Sequence, residues 1–466
     1  MLKLFMHKAT ALDSLSPPTA AMTSEPQTQS PDIPKPDEAA EAVGAALAWN
    51  PFRHPKNFAS MFRLWGKVPT TKTEHAAEVA LLAHGGIAVS TDDAPAASSS
   101  GTPARIIDVE IDDSGNYIHT LAITGSSSSS SSTNDTAKPR RNLVMTHGYF
   151  TGIGFFFRNY HELSKTEDWN IYSIDWLGMG RSSRPSYTSK RLGSEDERVA
   201  NAESFFVESL EEWRKRMGLD KMTLCGHSFG GYMSTLYALK YPEHVERLVL
   251  ISPIGIPRPP EGYDQMLREG RGPLRRPRGT TPEPDSNKVS NSSVNSSTDK
   301  GATLDPPGPS MRRTLFFRVA MGLWERNYAP QWLVRSVGPF GRRLIDMYVG
   351  RFVWLPEEQR ASLAAYAYQI SVLPGSSEYA LGDILRPGAF ARRPLVDRIA
   401  GITVPITFMY GANDWVDSTG GEEAIRELGG RVKTSLFHVP KAGHNLHLEN
   451  PADFNRILIS EMGASI

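Results

Sequence analysis

Apolar residues gather in six short stretches: Asn142 to Thr146, Asn170 to Trp176, Met222 to Cys225, Val245 to Ser252, Ile406 to Tyr410 and Thr434 to Val439. Runs of this length, rich in Val, Ile, Leu, Met and aromatic residues, suit strands buried inside a sheet. Helix-like stretches lie between them. Glu203 to Met217 predicts a helix leading into the third of these strands, and Tyr232 to Tyr241 predicts another, stopped by Pro242. Nearer the start, Thr71-x-x-Glu74 has the form of a capping box opening a helix through Ala76, Val79, Ala80 and Leu82. Ala104 to Ile111 and Tyr117 to Ile123 pattern as an antiparallel pair. Strands alternating with helices predict an α/β fold built on a mostly parallel, doubly wound sheet.

The polar stretches divide the chain. Residues 1–41 read as a disordered or targeting segment, rich in Pro, Ser, Thr and acids after Asp13. The first part of the core then spans 42–256, interrupted by a flexible serine tract within 125–138. An aromatic and basic stretch from Trp49 to Trp65 suits either a core surface or a membrane surface. Residues 257–310 form a low-complexity insertion of Pro, Gly, Ser and Asn. Residues 311–395, with Phe316, Phe317, Met321, Trp324, Trp332, Phe340, Phe352 and Trp354, predict a helical cap inserted between core strands. The core closes with 396–466.

Composition narrows the function. The 466 residues hold 51 Lys+Arg and 51 Asp+Glu, so no global charge points to nucleic acid. The single cysteine, Cys225, rules out a disulfide framework within the chain and reads as a small core residue. No apolar run approaches the roughly 20 residues of a membrane-spanning helix, so a membrane contact would be peripheral. The basic, apolar start from Met1 to Leu12 fits the opening of a mitochondrial transit peptide, although it lacks arginine; it fits a frayed tail equally.

The stretch with chemistry in it is Gly226-His227-Ser228-Phe229-Gly230, lying between a predicted strand and a predicted helix. Gly-x-Ser-x-Gly alone is a common pattern. In that setting it describes a nucleophile elbow, a turn so tight that only glycine fits at either end and the serine hydroxyl stands above the sheet. A serine hydroxyl needs a base, and the base needs an orienting carboxylate; on this fold both follow the serine, acid first. Asp414 follows the strand ending at Tyr410, with Asp417 as competitor. His444 follows the strand ending at Val439, with His447 as competitor. Developing negative charge calls for main-chain N–H donors, expected at Phe229 and at Tyr149 in the loop after His147-Gly148. His147 itself reads as a loop-shaping residue. No metal or cofactor is called for.

Several of these residues carry a family resemblance. His147-Gly148, the run Asp175-Trp176-Leu177-Gly178-Met179-Gly180-Arg181-Ser182-Ser183-Arg184-Pro185, the elbow, and Gly443-His444 followed by Asn450-Pro451-x-x-Phe454-Asn455 resemble one branch of the alpha/beta-hydrolase superfamily. That branch holds the fungal mitochondrial cardiolipin-specific deacylases, the animal lysophospholipase acting on N-acyl phosphatidylethanolamine, and the lipid-droplet co-activator of triglyceride lipase. The resemblance covers roughly Trp49 to Glu461. It implies a phospholipase that removes a fatty acyl chain from an anionic phospholipid such as cardiolipin, at the mitochondrial inner membrane or another membrane or lipid-droplet surface. Two departures bear on this. The co-activators lack the nucleophilic serine, whereas Ser228 is present. The family's His-x4-Asp, linked to lysophospholipid acyl transfer, becomes His444-x4-Glu449 here. A lysophosphatidic acid acyltransferase and a non-enzymatic lipid-surface scaffold are the alternatives.

Met311 to Arg351 carries eight arginines against Glu325 and Asp346. The run reads either as solvated helix surface or as a lid resting on anionic lipid, with Arg312, Arg313, Arg342 and Arg343 on phosphates.

Overall fold

The computed structural model describes residues 71–90, 101–125, 140–189, 193–269, 318–319 and 321–463. The N-terminal segment, the Trp49 to Trp65 stretch, the serine tract, and Arg312 and Arg313 lie outside these residues. Nine strands form one sheet. In chain order its members are β1 (Ile87–Ser90), β2 (Thr102–Glu110), β3 (Tyr117–Thr124), β4 (Arg141–Thr146), β5 (Trp169–Ile174), β6 (Met222–His227) and β7 (Val245–Ile251), followed after a two-stranded hairpin, β8 (Leu385–Arg386) and β9 (Phe390–Ala391), by β10 (Ile406–Gly411) and β11 (Thr434–Val439). Their spatial order is β1-β2-β3-β5-β4-β6-β7-β10-β11. The six strands from β5 to β11 pair in parallel, and β3 runs against both its neighbours. This is the mostly parallel α/β sheet expected, with β1 as an edge strand that four residues of sequence did not announce.

Every position of β6 and β10 is buried, because the sheet is covered on both faces. Strand periodicity then sends alternate residues to opposite cores. Leu224, Leu248, Leu250 and Phe408 join a layer with Trp176, Phe206 and Trp213. Cys225, Val249, Ile251 and Met409 join a second with Phe155, Tyr160 and Phe454.

Helices α1 (Thr71–His84), α2 (Glu195–Arg216), α3 (Phe229–Lys240), α4 (Pro330–Ser336), α5 (Gly341–Val349), α6 (Glu357–Val372), α7 (Thr419–Leu428) and α8 (Pro451–Gly463) complete the frame. α2 begins eight residues before the expected Glu203. Its N-terminus is held by a capping box in which Ser194 Oγ accepts from Glu197 N–H and the Glu197 carboxylate accepts from Ser194 N–H. Acids fill its first turn and Arg214, Lys215 and Arg216 its last, each suited to the dipole end it meets. Those polar opening turns carry no apolar stripe, which is why periodicity missed them. Within 257–310, a stretch expected to be low-complexity throughout, a helical turn spans Tyr263–Arg268; Tyr263 is buried and its O–H donates to Pro387 O at 2.5 Å.

Cap helices α4 to α6 fold back over the core, with α6 packed against α1. Tyr366 of α6 reaches the core, where its hydroxyl accepts from Gly154 N–H at 3.2 Å. Arg335 pairs with the buried Glu378, and Trp324 Nε1–H donates to Leu385 O at 2.9 Å.

Candidate active site

Ser228 stands between β6 and α3 with φ 53° and ψ −113°, a left-handed backbone that few non-glycine residues adopt. The flanking glycines explain why the turn exists at all. A methyl on Gly226 would come within 2.5 Å of Gly230 O, and one on Gly230 within 2.5 Å of Thr146 O. Ser228 N–H is tied to Ile251 O at 2.8 Å, so the neighbouring strand fixes the elbow.

The structure brings three of the expected side chains together. His444 Nε2 lies 3.0 Å from Ser228 Oγ, and His444 Nδ1 lies 3.1 Å from Asp414 Oδ1. The carboxylate can only accept, so Nδ1 carries the proton and Nε2 is left to receive one from the serine. Asp414 is held in turn: its Oδ1 accepts Val416 N–H at 3.0 Å and its Oδ2 accepts the Ser252 hydroxyl. Ser252 follows β7 directly, with φ 44°, a conformation that no sequence motif signals.

The competitors have other tasks. Asp417 Oδ1 accepts Thr419 N–H at 3.0 Å at the start of α7. His447 is buried, 4.7 Å from the Phe156 ring, and burial with the nearby His444 pushes its pKa down to about 3. It is a neutral core residue. His147 donates from Nδ1 to Gly148 O at 2.7 Å and accepts Trp176 N–H on Nε2 at 3.1 Å, shaping the loop beside the elbow. That loop touches the nucleophile, since a methyl on Gly148 would meet Ser228 Cβ at 3.0 Å. Tyr149 therefore follows directly in the loop against Ser228, while Phe229 opens α3 on its other side.

The loop carrying His444 is clamped. Glu449, the acid at the His-x4 position, accepts Gly443 N–H at 2.7 Å and Asn445 N–H at 3.2 Å, one on each side of the base. His227 Nε2–H donates to His444 O at 3.0 Å. Neither role was visible in the sequence, because both act on the main chain.

The run from Asp175 to Arg184 is a folded turn. Asp175 is buried and accepts Ile153 N–H at 2.8 Å and Arg181 N–H at 2.7 Å, and a methyl on Gly180 would strike its carboxyl group. Arg181 continues into a buried ion-pair group with Glu78 of α1 and His119 of β3. Glu78, His119 and Asp175 offer ligand atoms within 4.8 Å of one another. The Arg181 guanidinium already supplies positive charge there, so the group reads as an ion-pair network.

Ser228 and His444 open onto a cavity of about 80 Å³, with Ile254, Trp324, Leu381, Leu385 and Trp415 among its walls. Of the arginines expected to meet lipid, Arg342 is tied to Asp346 at 2.8 Å and lies over Tyr368, and Arg343 is exposed on α5. The cations lining the cavity are instead Arg351 and Arg386.

Comparison with known proteins agrees with this geometry. The profile of the alpha/beta hydrolase fold family matches residues 141–451. A 1-acylglycerol-3-phosphate O-acyltransferase of Arabidopsis thaliana is 34% identical over 324 residues, 68% of this chain and 65% of the plant protein. A (lyso)-N-acylphosphatidylethanolamine lipase of Mus musculus is 31% identical over 328 residues, 69% of this chain and 79% of the mouse protein. The chain thus spans about two thirds of the plant relative's length. Among solved structures, a carboxylesterase of Bacillus subtilis aligns at TM-score 0.47 and 16% identity, over 85% of this chain and 99% of its own. The chain belongs to the alpha/beta-hydrolase fold family, in the branch that includes the animal (lyso)-N-acylphosphatidylethanolamine lipases.

Proposed function

We propose that this protein is a serine acyl hydrolase acting on lipid, deacylating an anionic phospholipid such as cardiolipin through an acyl-enzyme on Ser228. The observation that carries the reading is the hydrogen-bonded chain Ser228–His444–Asp414 opening onto a mainly apolar cavity. His444 Nε2 takes the hydroxyl proton as Ser228 Oγ attacks the ester carbonyl. Charge gathers on the carbonyl oxygen, where the N–H groups of Phe229 and Tyr149 receive it. Collapse expels the alcohol, which takes the proton back from His444 and leaves the acyl group on Ser228. Water, deprotonated by His444, releases the fatty acid.

The cavity is smaller than the roughly 300–1,000 Å³ of sites that enclose a drug-sized ligand. A fatty acyl chain therefore enters only as the cap shifts, the usual behaviour of a lid. The cap also supports a peripheral membrane position. Val319, Leu323, Tyr328, Phe340, Met347, Val353 and Trp354 are all exposed on it, and no described helix is long and apolar enough to cross a bilayer. The mitochondrial inner membrane belongs to the same reading, and fluorescence imaging of tagged protein checks it.

The lysophosphatidic acid acyltransferase alternative moves an acyl group from acyl-CoA to a lysophospholipid hydroxyl, releasing CoA, and is distinguished by whether that activity survives replacement of Ser228. One experiment separates them: purified wild type and Ser228→Ala with a phospholipid panel, and separately with acyl-CoA plus lysophosphatidic acid, with products resolved by mass spectrometry. Free fatty acid from wild type and none from Ser228→Ala supports hydrolysis. Diacyl product from acyl-CoA that survives Ser228→Ala supports transfer, and no product of either kind overturns the enzymatic reading.

A further inference from the structure

We propose that Trp415 is the specificity-determining residue for the alcohol half of the ester, the half that leaves when Ser228 is acylated. This rests on the reading of Ser228 as an acyl-transfer nucleophile activated by His444. His444 must hand its proton to the departing alcohol, so the alcohol oxygen comes within hydrogen-bond reach of Nε2, roughly 2.6–3.2 Å. The carbons attached to that oxygen then begin beside His444, and the Trp415 ring is already there. Its centre lies 4.8 Å from that of the His444 ring, with the two planes inclined at 47°, and both side chains line the cavity with Ser228.

The position of Trp415 is set by the core. Asp414 Oδ1 accepts Val416 N–H at 3.0 Å, and Asn413 N–H donates to Ala442 O at 2.8 Å, so the main chain is tied on both sides of the indole. The same Asp414 carboxylate holds His444 at 3.1 Å. None of these ties involves the cap, so a shift of the cap leaves indole, base and nucleophile in register. The other apolar walls differ in kind. Ile254, Trp324, Leu381 and Leu385 are each at most 5% exposed and belong to one buried cluster, whereas Trp415 is 39% exposed. A large ring that touches the base and still meets water suits an apolar group that arrives with the substrate and continues outward. In a glycerolipid with two acyl chains, the alcohol released by the first cleavage still carries the second chain. Trp415 is placed to receive that chain, so the site favours diacyl substrates over those whose leaving alcohol is bare.

The test uses hexyl butyrate and butyl hexanoate, isomers that exchange chain length between the alcohol and acyl halves while keeping the same atoms. Trp415→Ala should lower kcat/KM for hexyl butyrate about fivefold more than for butyl hexanoate, chiefly through KM, because two methylenes of the alcohol lose their contact. Trp415→Phe, with a smaller ring in the same place, should move the ratio in the same direction by about twofold. An equal loss on both isomers would mean that the ring only packs on His444, and a larger loss on butyl hexanoate would put it on the acyl side. Either result overturns the assignment, as does a ratio that neither variant moves. Wild type that cleaves neither ester, or Ser228→Ala that cleaves both, would instead overturn the hydrolase reading and take this assignment with it.

Discussion

Ser228 is held in place by other residues, and each layer of that support can be removed separately. Asp414→Asn presents an amide where His444 Nδ1–H needs an acceptor, so kcat for a nitrophenyl butyrate should fall by about 10⁴. Asp417→Asn keeps an oxygen to accept Thr419 N–H at the start of α7 and should leave kcat near wild type. The reverse ranking would show that the wrong acid has been chosen. Glu449→Gln keeps one accepting oxygen but sets an NH₂ group against a loop N–H. It should lower kcat about tenfold with little change in KM, since the loop that loosens carries the base and not the substrate. A rise in KM at constant kcat would place Glu449 in binding instead. The sequence made Ser228, His444 and Asp414 legible because strand ends and chain order constrain them. Ser252, His227 and Glu449 were not legible as supports, since a side chain that braces a main-chain loop leaves no motif.

At the level of elements, the cap is joined to itself and to the core by a few buried polar contacts. Arg335 of α4 meets Glu378, which is 2% exposed. Removing one partner of such a pair leaves the other charge buried, so Arg335→Ala should destabilise the protein by about 3–5 kcal/mol. An unchanged urea midpoint would mean that α4 is not held this way. The buried strands were plain in the sequence, because a strand covered on both faces must be apolar almost throughout. β1 and the hairpin of β8 and β9 were not, being too short to show a period. The arginine-rich run was read as one basic face, and the structure divides it. Arg335 and Arg342 neutralise acids, and Arg351 turns to the cavity. Spacing along a helix cannot distinguish those fates, since the partner of Arg335 lies 43 residues away.

Across the whole molecule, one ion-pair group joins α1, β2, β3 and the Asp175 turn. Burial opposes charge on His119, but Glu78 and Asp108 outweigh it against the repulsion of Arg181 and lift its pKa to about 9. The folded value lies above the ordinary value of about 6.5, so folding gains from protonation. That gain is complete below about pH 6.5 and is lost as pH rises through about 9. The stability gap between wild type and His119→Gln should therefore be widest near pH 6 and shrink by pH 10, as read by urea midpoints. A gap independent of pH would mean that His119 contributes by shape alone.

The proposed hydrolase depends on Ser228 acting as a nucleophile activated by His444 and directed at lipid esters. Intact-protein mass spectrometry after exposure to an alkyl fluorophosphonate tests it most directly. Wild type should gain one phosphonyl group, mapped to Ser228 and blocked by prior incubation with the phospholipid substrate. Ser228→Ala should not be labelled, and labelling of His444→Gln should be strongly slowed. Labelling that persists in Ser228→Ala, or a wild-type protein that resists the reagent while fully folded, would contradict it.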